Sequence, residues 1–148
     1  MAERIILLVE DNPDDAILTR RALEKSEVSH RVEVARDGLE ALDYLFALGT
    51  HADRKASDMP ALILLDLKLP KVDGLEVLRR LRADRLTKLI PVIVLSSSDE
   101  PADVIESYGL GANSYIRKPV DFAEFTETVR ALAHYWLRLN EPPPSEPA

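Results

Sequence analysis

This sequence predicts an α/β fold, a doubly wound five-stranded parallel sheet with helices on both faces, forming a three-layer sandwich. Three observations carry the prediction. Short β-rich runs alternate with helix-length amphipathic stretches along the chain. Three of the runs, at residues 5–9, 61–65 and 91–95, are apolar throughout, as strands are when both faces of a sheet are covered. The length, 148 residues with 46% hydrophobic, suits one domain with a sizeable core.

Arg4 to Val9 is the first strand, five apolar residues behind one charge. Asn12-Pro13-Asp14-Asp15 opens the first helix. Asparagine is a good N-cap, proline is tolerated in the first turn, and two aspartates suit the positive end of the helix. This helix is expected from about Pro13 to Ser26, with Leu18 and Ala22 on its buried face. Arg31 to Ala35 alternates and reads as a more exposed strand. Asp37-Gly38 opens a second helix carrying Leu39, Leu42, Leu45 and Phe46 at helical spacing, and Gly49 is placed to end it. Residues 50–60 have no period and read as a long loop. Ala61 to Asp66 is a buried strand that ends on an acid.

The turn residues Leu69-Pro70-Lys71-Val72-Asp73-Gly74 lead into a third helix marked by Leu75, Val77, Leu78 and Leu81, to about Asp84. Pro91 to Leu95 is a strand closed by Ser96-Ser97-Ser98, and Ser98 or Asp99 caps a fourth helix from Glu100 to Leu110. Ser114 to Arg117 is the short fifth strand, ahead of Lys118-Pro119. Asp121 caps a long final helix carrying Phe122, Phe125, Val129, Leu132 and Trp136, the first four as core residues. Glu141 to Ala148 is proline-rich and cannot be helical. Residues 1–140 are therefore expected to fold as one domain and 141–148 to form a flexible tail.

Composition excludes several functions. A net charge of −7 leaves no electrostatic footprint for duplex nucleic acid, and no basic run suits an anionic membrane surface. The absence of cysteine removes disulfides, thiolate nucleophiles and zinc–thiolate sites, and the three histidines are scattered. No apolar run is long enough for a signal segment or a membrane span, so a cytoplasmic location is expected.

The chemistry lies at the strand ends. A parallel sheet opens the carboxyl ends of its strands onto one edge, where ligands bind. There the chain presents Glu10-Asp11 after the first strand, Asp66 after the third, Ser96 after the fourth and Lys118 after the fifth. Each has an ordinary reading alone: a solvated strand end, a polar loop, a surface lysine. Together they bring three carboxylates to one place. A carboxylate pair at about 4 Å repels by about 4 kcal/mol at an effective dielectric of about 20, so one is protonated or a cation sits among them. Oxygen donors without histidine or cysteine select a hard ion, Mg²⁺ or Mn²⁺. A phosphoryl group could be held between that ion, the Lys118 ammonium and the Ser96 hydroxyl, with Asp66 as the nucleophile that forms an acyl phosphate.

Glu10-Asp11, Asp66 within Leu-Leu-Asp-Leu-Lys-Leu-Pro, Asp73-Gly74, Ser96 and Lys118-Pro119 resemble the receiver domain of two-component response regulators. The intervals of 30 residues from Asp66 to Ser96 and 22 from Ser96 to Lys118 fit that family. The resemblance covers roughly residues 4–135. It implies the strand order 2-1-3-4-5, Asp66 as phosphoacceptor, and a metal held by Glu10, Asp11, Asp66 and the Lys68 backbone carbonyl. It further implies Ser96 as the switch hydroxyl, Tyr115 as the switch aromatic, Lys118 as the phosphate-binding lysine, and a cis bond before Pro119. On the residues alone, Tyr115 reads equally as strand packing.

The 50–60 segment, Asp-Leu-Lys-Leu-Pro, Lys-Pro-Val-Asp-Phe and the ending Tyr135-Trp136-Leu137…Asn140-Glu141-Pro142 resemble, more narrowly, the small regulators that partner phytochrome histidine kinases. Those are single-domain proteins, often dimeric through the face of the fourth helix, fifth strand and fifth helix. Tyr135, Trp136, Leu137 and Leu139 point to several sides of one helix end, so one side is expected to meet a partner. The function implied is a phosphorylation-controlled switch, not an enzyme, fed by a histidine kinase; because no output domain follows, its output is expected by protein contact or by passing the phosphoryl group along a relay. The alternatives are a degenerate receiver that only binds partners, a flavin carrier and an aspartate-dependent phosphohydrolase. Glu10-Asp11-Asn12 would repel a flavin phosphate, and the hydrolase class carries its nucleophile after the first strand in Asp-x-Asp.

Overall fold

The structure is a computed structural model that describes residues 4–26, 28, 30–55 and 58–144. Five strands and five helices alternate: β1 (Arg4–Val9), α1 (Pro13–Glu24), β2 (His30–Ala35), α2 (Gly38–Phe46), β3 (Leu62–Leu65), α3 (Gly74–Ala83), β4 (Val92–Ser96), α4 (Pro101–Gly109), β5 (Ser114–Arg117) and α5 (Phe122–His134). All strand pairs are parallel, in the order β2-β1-β3-β4-β5. The fold class and strand order are as expected.

The apolar strands are explained by where alternate side chains go. Leu7, Val9, Ile63, Leu65, Val92 and Val94 face one layer, with Leu42 and Leu45 of α2 and Val77, Leu78 and Leu81 of α3. Ile6, Leu8, Leu62, Leu64, Ile93 and Leu95 face the other, with Ala22 and Leu23 of α1 and Phe125, Val129 and Leu132 of α5. Two-residue periodicity thus sends one continuous run to two cores. β2 and β5 are the sheet edges, and both are only partly buried.

Asn12, Asp37, Asp73 and Asp121 cap α1, α2, α3 and α5, each accepting backbone N–H bonds through its side chain. Several expectations need correction. α1 stops at Glu24, two residues short of Ser26. α2 ends at Phe46 with Ala47, not Gly49, taking the left-handed cap at φ 54°; Gly49 takes the same φ in the following 3-10 turn, Gly49–His51. The segment after it is not merely a loop. Arg54 donates to the Tyr44 and Leu45 carbonyls and stands over the Tyr44 ring, tying the segment to the end of α2. Ala56 and Ser57 lie outside the described residues.

Glu100, without a side-chain bond, occupies the N-cap of α4; Ser98 assists from outside, accepting the Glu100 N–H and donating to Asp103. Phe122 is 52% exposed rather than core, as the first residue of α5; Phe125, one turn on, is buried. After His134 the final helix widens into a π-helical turn, Tyr135–Leu139, which buries Leu137 and leaves Tyr135 and Leu139 exposed. The Leu137 carbonyl accepts from Arg4, fastening this turn to the start of β1. Residues 141–144 have no regular structure, and 145–148 of the expected tail lie outside the described residues. Among the described residues no helix is long and apolar enough to cross a membrane.

Candidate functional site

Each site residue is set at the sheet edge by local backbone bonding. Glu10 remains in the ladder through its N–H to the Ala35 carbonyl (2.9 Å), so its carboxylate is buried, 3% exposed. Asp11, one step further, is exposed. Asn12 then turns the chain: its Oδ1 accepts from Asp14 (2.9 Å) and Asp15 (3.2 Å), and its own N–H donates to Glu10 (3.2 Å). Helix α1 therefore starts directly behind the acids. Asp66 extends β3 by donating its N–H to the Val9 carbonyl (3.1 Å). Lys118 leaves β5 with its N–H on the Ser96 carbonyl (2.7 Å).

Gly74 closes the base of the site. Its N–H donates to the Leu67 carbonyl (2.8 Å), and a Cβ there would lie 2.2 Å from the Asp66 carbonyl oxygen and 2.6 Å from Leu67 Cα. Both are backbone atoms, so only glycine lets α3 approach the end of β3 this closely.

The structure brings Glu10, Asp11 and Asp66 together, with one oxygen of each within 4.8 Å of the others. The Lys118 ammonium stands among the acids, 2.6 Å from Glu10 Oε1, 3.1 Å from Asp15 Oδ2 and 3.3 Å from Asp66 Oδ2. Burial pushes the Glu10 carboxyl up to about 7, against the opposing pull of Lys118. Burial draws Lys118 down, but its bond to Glu10 and the charges of Asp66 and Glu10 outweigh that and raise it, so the ammonium stays charged.

The cluster suits a divalent metal. Its donors are all oxygen, they converge within ligand reach, and a burial-strained carboxylate gains by meeting a second cation. Lys68 is exposed in the loop after β3 and lines, with Asp11, Leu67, Asp73 and Asp103, a cleft of about 470 Å³ beside the acids.

Ser96 ends β4 buried, its Oγ accepting the Ser98 N–H at 3.2 Å. Tyr115, partly buried against the α2–α3 core, donates its hydroxyl to the Ser98 carbonyl at 2.8 Å. Strand β5 is thereby latched to the loop that follows Ser96. The bond before Pro119 is trans, against the cis bond that the resemblance implied; no described peptide bond is cis.

Sequence reasoning missed Asp15, which it read only as a charge favourable to the helix end. The available signal was its place one turn beyond Asp11, on a helix beginning at the site edge. It also missed Asp103 as a cleft residue and partner of Ser98.

The family profile of the response regulator receiver domain matches residues 6–130. Among curated relatives, a probable methanogenesis regulatory protein, FilR2 of Methanothrix harundinacea, is 43% identical over 94% of this chain and 87% of its own. The response regulator Rcp1 of Synechocystis sp. is 40% identical over 90% of this chain and 89% of its own. A structure of Rcp1 in its Mn²⁺-bound form superposes with a TM-score of 0.88, at 38% identity over 95% of this chain and 99% of that one. The phosphorylated cyanobacterial phytochrome response regulator RcpA superposes with a TM-score of 0.90, at 42% identity over 97% of this chain and all of that one.

Proposed function

Because the chain belongs to the response regulator receiver domain family, we propose that it works as a phosphorylation-controlled signalling switch, with Asp66 accepting the phosphoryl group from a histidine kinase. The single observation that carries this reading is the convergence of Glu10, Asp11 and Asp66 at one sheet edge, with the Lys118 ammonium bonded to Glu10 and Asp66.

An oxygen of Asp66 attacks phosphorus, an acyl phosphate forms, and the bond from phosphorus to the donor nitrogen breaks with its electron pair returning to the imidazole, which takes a proton from solvent. Glu10, Asp11, Asp66 and the Lys68 carbonyl would hold Mg²⁺, or Mn²⁺ in its place, which would supply positive charge to the phosphoryl oxygens. Lys118 pairs with one of those oxygens and Ser96 donates to another. As Ser96 is drawn inward, the Ser98 carbonyl that holds Tyr115 moves with it, and the α4–β5–α5 face is biased between two states. The chain assists only its own phosphorylation and dephosphorylation; with Asp66 and Lys118 both in place, nothing favours a degenerate receiver.

The likeness to RcpA, a phytochrome response regulator, supports a bacterial phytochrome as the donor kinase. Exposed Ile105, Tyr108, Tyr135 and Leu139 support a homodimer through α4–β5–α5 and the Tyr135–Leu139 turn. The net charge of −7 supports output through protein contact, without nucleic acid or membrane, and we take the cytoplasm as its location. We take residues 1–140 as the receiver domain and 141–148 as a tail.

Intact-protein mass after incubation with acetyl phosphate tests the switch. A Mg²⁺-dependent phosphoryl adduct on the wild type, absent from Asp66→Asn, is the expected result; no adduct under any condition points to the degenerate receiver. Sedimentation of the wild type against Trp136→Ala at equal concentration tests the dimer, and an unchanged mass counts against that surface.

A further inference from the structure

We infer that Asp15 is a positioning residue: it engages Lys118 in the resting protein, competes with incoming phosphoryl oxygens for the ammonium, and so limits how fast Asp66 is phosphorylated. The inference rests on the reading of Asp66 as the phosphoacceptor. A lysine ammonium has three donors. Here Glu10, Asp15 and Asp66 take one contact each, at 2.6, 3.1 and 3.3 Å. A phosphoryl group arriving at Asp66 therefore finds no free donor on Lys118.

The three carboxylates are not equally held. The Glu10 contact is the shortest, its carboxylate is buried, and its second oxygen already accepts from Asn12. Asp66 is the attacking group and remains at the site. Asp15 is the carboxylate that water can take over, with a side chain 36% exposed against 3% for Glu10 and 12% for Asp66. Its release from Lys118 precedes the landing of a phosphoryl oxygen. Until then its negative charge also opposes an anionic donor at the same ammonium. Both effects slow phosphorylation, and both act through Lys118.

Apart from the favourable charge at the start of α1, which Asp14 shares, nothing else about Asp15 calls for a negative charge there. Its backbone is fixed by the Asn12 cap and by Thr19, whose hydroxyl donates to the Asp15 carbonyl at 2.8 Å; neither contact uses the carboxylate. Asp14 provides the control. It lies in the same first turn, its N–H on the same Asn12 oxygen, and it is exposed and does not reach Lys118.

The test is the initial rate of adduct formation on the full chain, by intact mass, at a subsaturating concentration of acetyl phosphate with Mg²⁺. Asp15→Asn is expected to raise the rate about two- to fivefold, the range that a part-exposed ion pair supports. Asp15→Glu, which retains the charge, stays near the wild type, and so does Asp14→Asn, which removes an equal charge from the helix end. Thermal melts of all three check that they are folded. An Asp15→Asn rate equal to or below that of Asp14→Asn overturns the inference while the wild-type adduct leaves the Asp66 reading intact. A wild type that forms no adduct removes both.

Discussion

Replacing Lys118 by methionine takes away the cation bonded to Glu10 and Asp66 while keeping most of the side-chain volume. Glu10 and Asp66, 3% and 12% exposed, then face each other uncompensated. Removing one partner from a buried ion pair costs about 3–5 kcal/mol. Glu10 has a way to reduce that cost, because burial already lifts its carboxyl from 4.5 to about 7. The folded value lies above the ordinary one, so the contribution of this group to stability is fully present below pH 4.5 and is lost as pH rises through about 7. A shift of that size corresponds to about 3 kcal/mol between the two limits. Lys118→Met removes the opposing pull of the ammonium and raises Glu10 further. The loss of stability is therefore expected to be smallest at pH 5, where Glu10 carries a proton in both proteins, and to grow as pH rises above about 7. Urea unfolding followed by the fluorescence of Trp136, the single tryptophan, measures it. Mg²⁺ should restore part of the loss in the variant by binding the folded form alone. A loss below about 1 kcal/mol at pH 8, or one that does not change with pH, would mean that the carboxylates are solvated and not held on the lysine.

Three further outcomes follow from the same geometry. Gly74→Ala forces a Cβ against the Asp66 and Leu67 backbone, and is expected to cost about 1–3 kcal/mol in urea unfolding and to slow adduct formation; unchanged values for both would contradict the close approach of α3. Tyr115→Phe removes the hydroxyl bond to the Ser98 carbonyl, with a loss of about 1 kcal/mol and faster amide exchange in the 97–100 loop; protected amides there would show that the latch is not what holds the loop. Mn²⁺ affinity, titrated calorimetrically, should fall as pH drops through about 7, because the metal requires ionised Glu10; a flat profile would remove Glu10 from the metal site.

The strands and the helix starts other than that of α4 were legible because their determinants are local. Runs such as Leu62–Leu65 carry their burial in their composition, and Asn12, Asp37, Asp73 and Asp121 announce the helices they cap. The convergence of Glu10, Asp11, Asp66 and Lys118 was legible at one remove, since a parallel sheet fixes which strand ends share an edge. What escaped depends on distance in space. Asp15 looks like any acid in a first helical turn until β5 delivers Lys118 beside it. Phe122 has the helical spacing of a core residue, but its position at the first turn of α5 leaves it outside. The left-handed Ala47 is tolerated because its N–H and that of Leu48 reach back to Tyr44 and Asp43, contacts that no local preference announces.

The central claim is that the phosphoryl group sits on the Asp66 carboxylate, and borohydride trapping tests it directly. An acyl phosphate is reduced to an alcohol, which turns a phosphorylated aspartate into homoserine. Peptide mapping of the wild type after acetyl phosphate, Mg²⁺ and borohydride is expected to find homoserine at position 66. Homoserine at Asp11 or Asp15 instead, or a phosphoryl adduct that leaves position 66 unreduced, would contradict it.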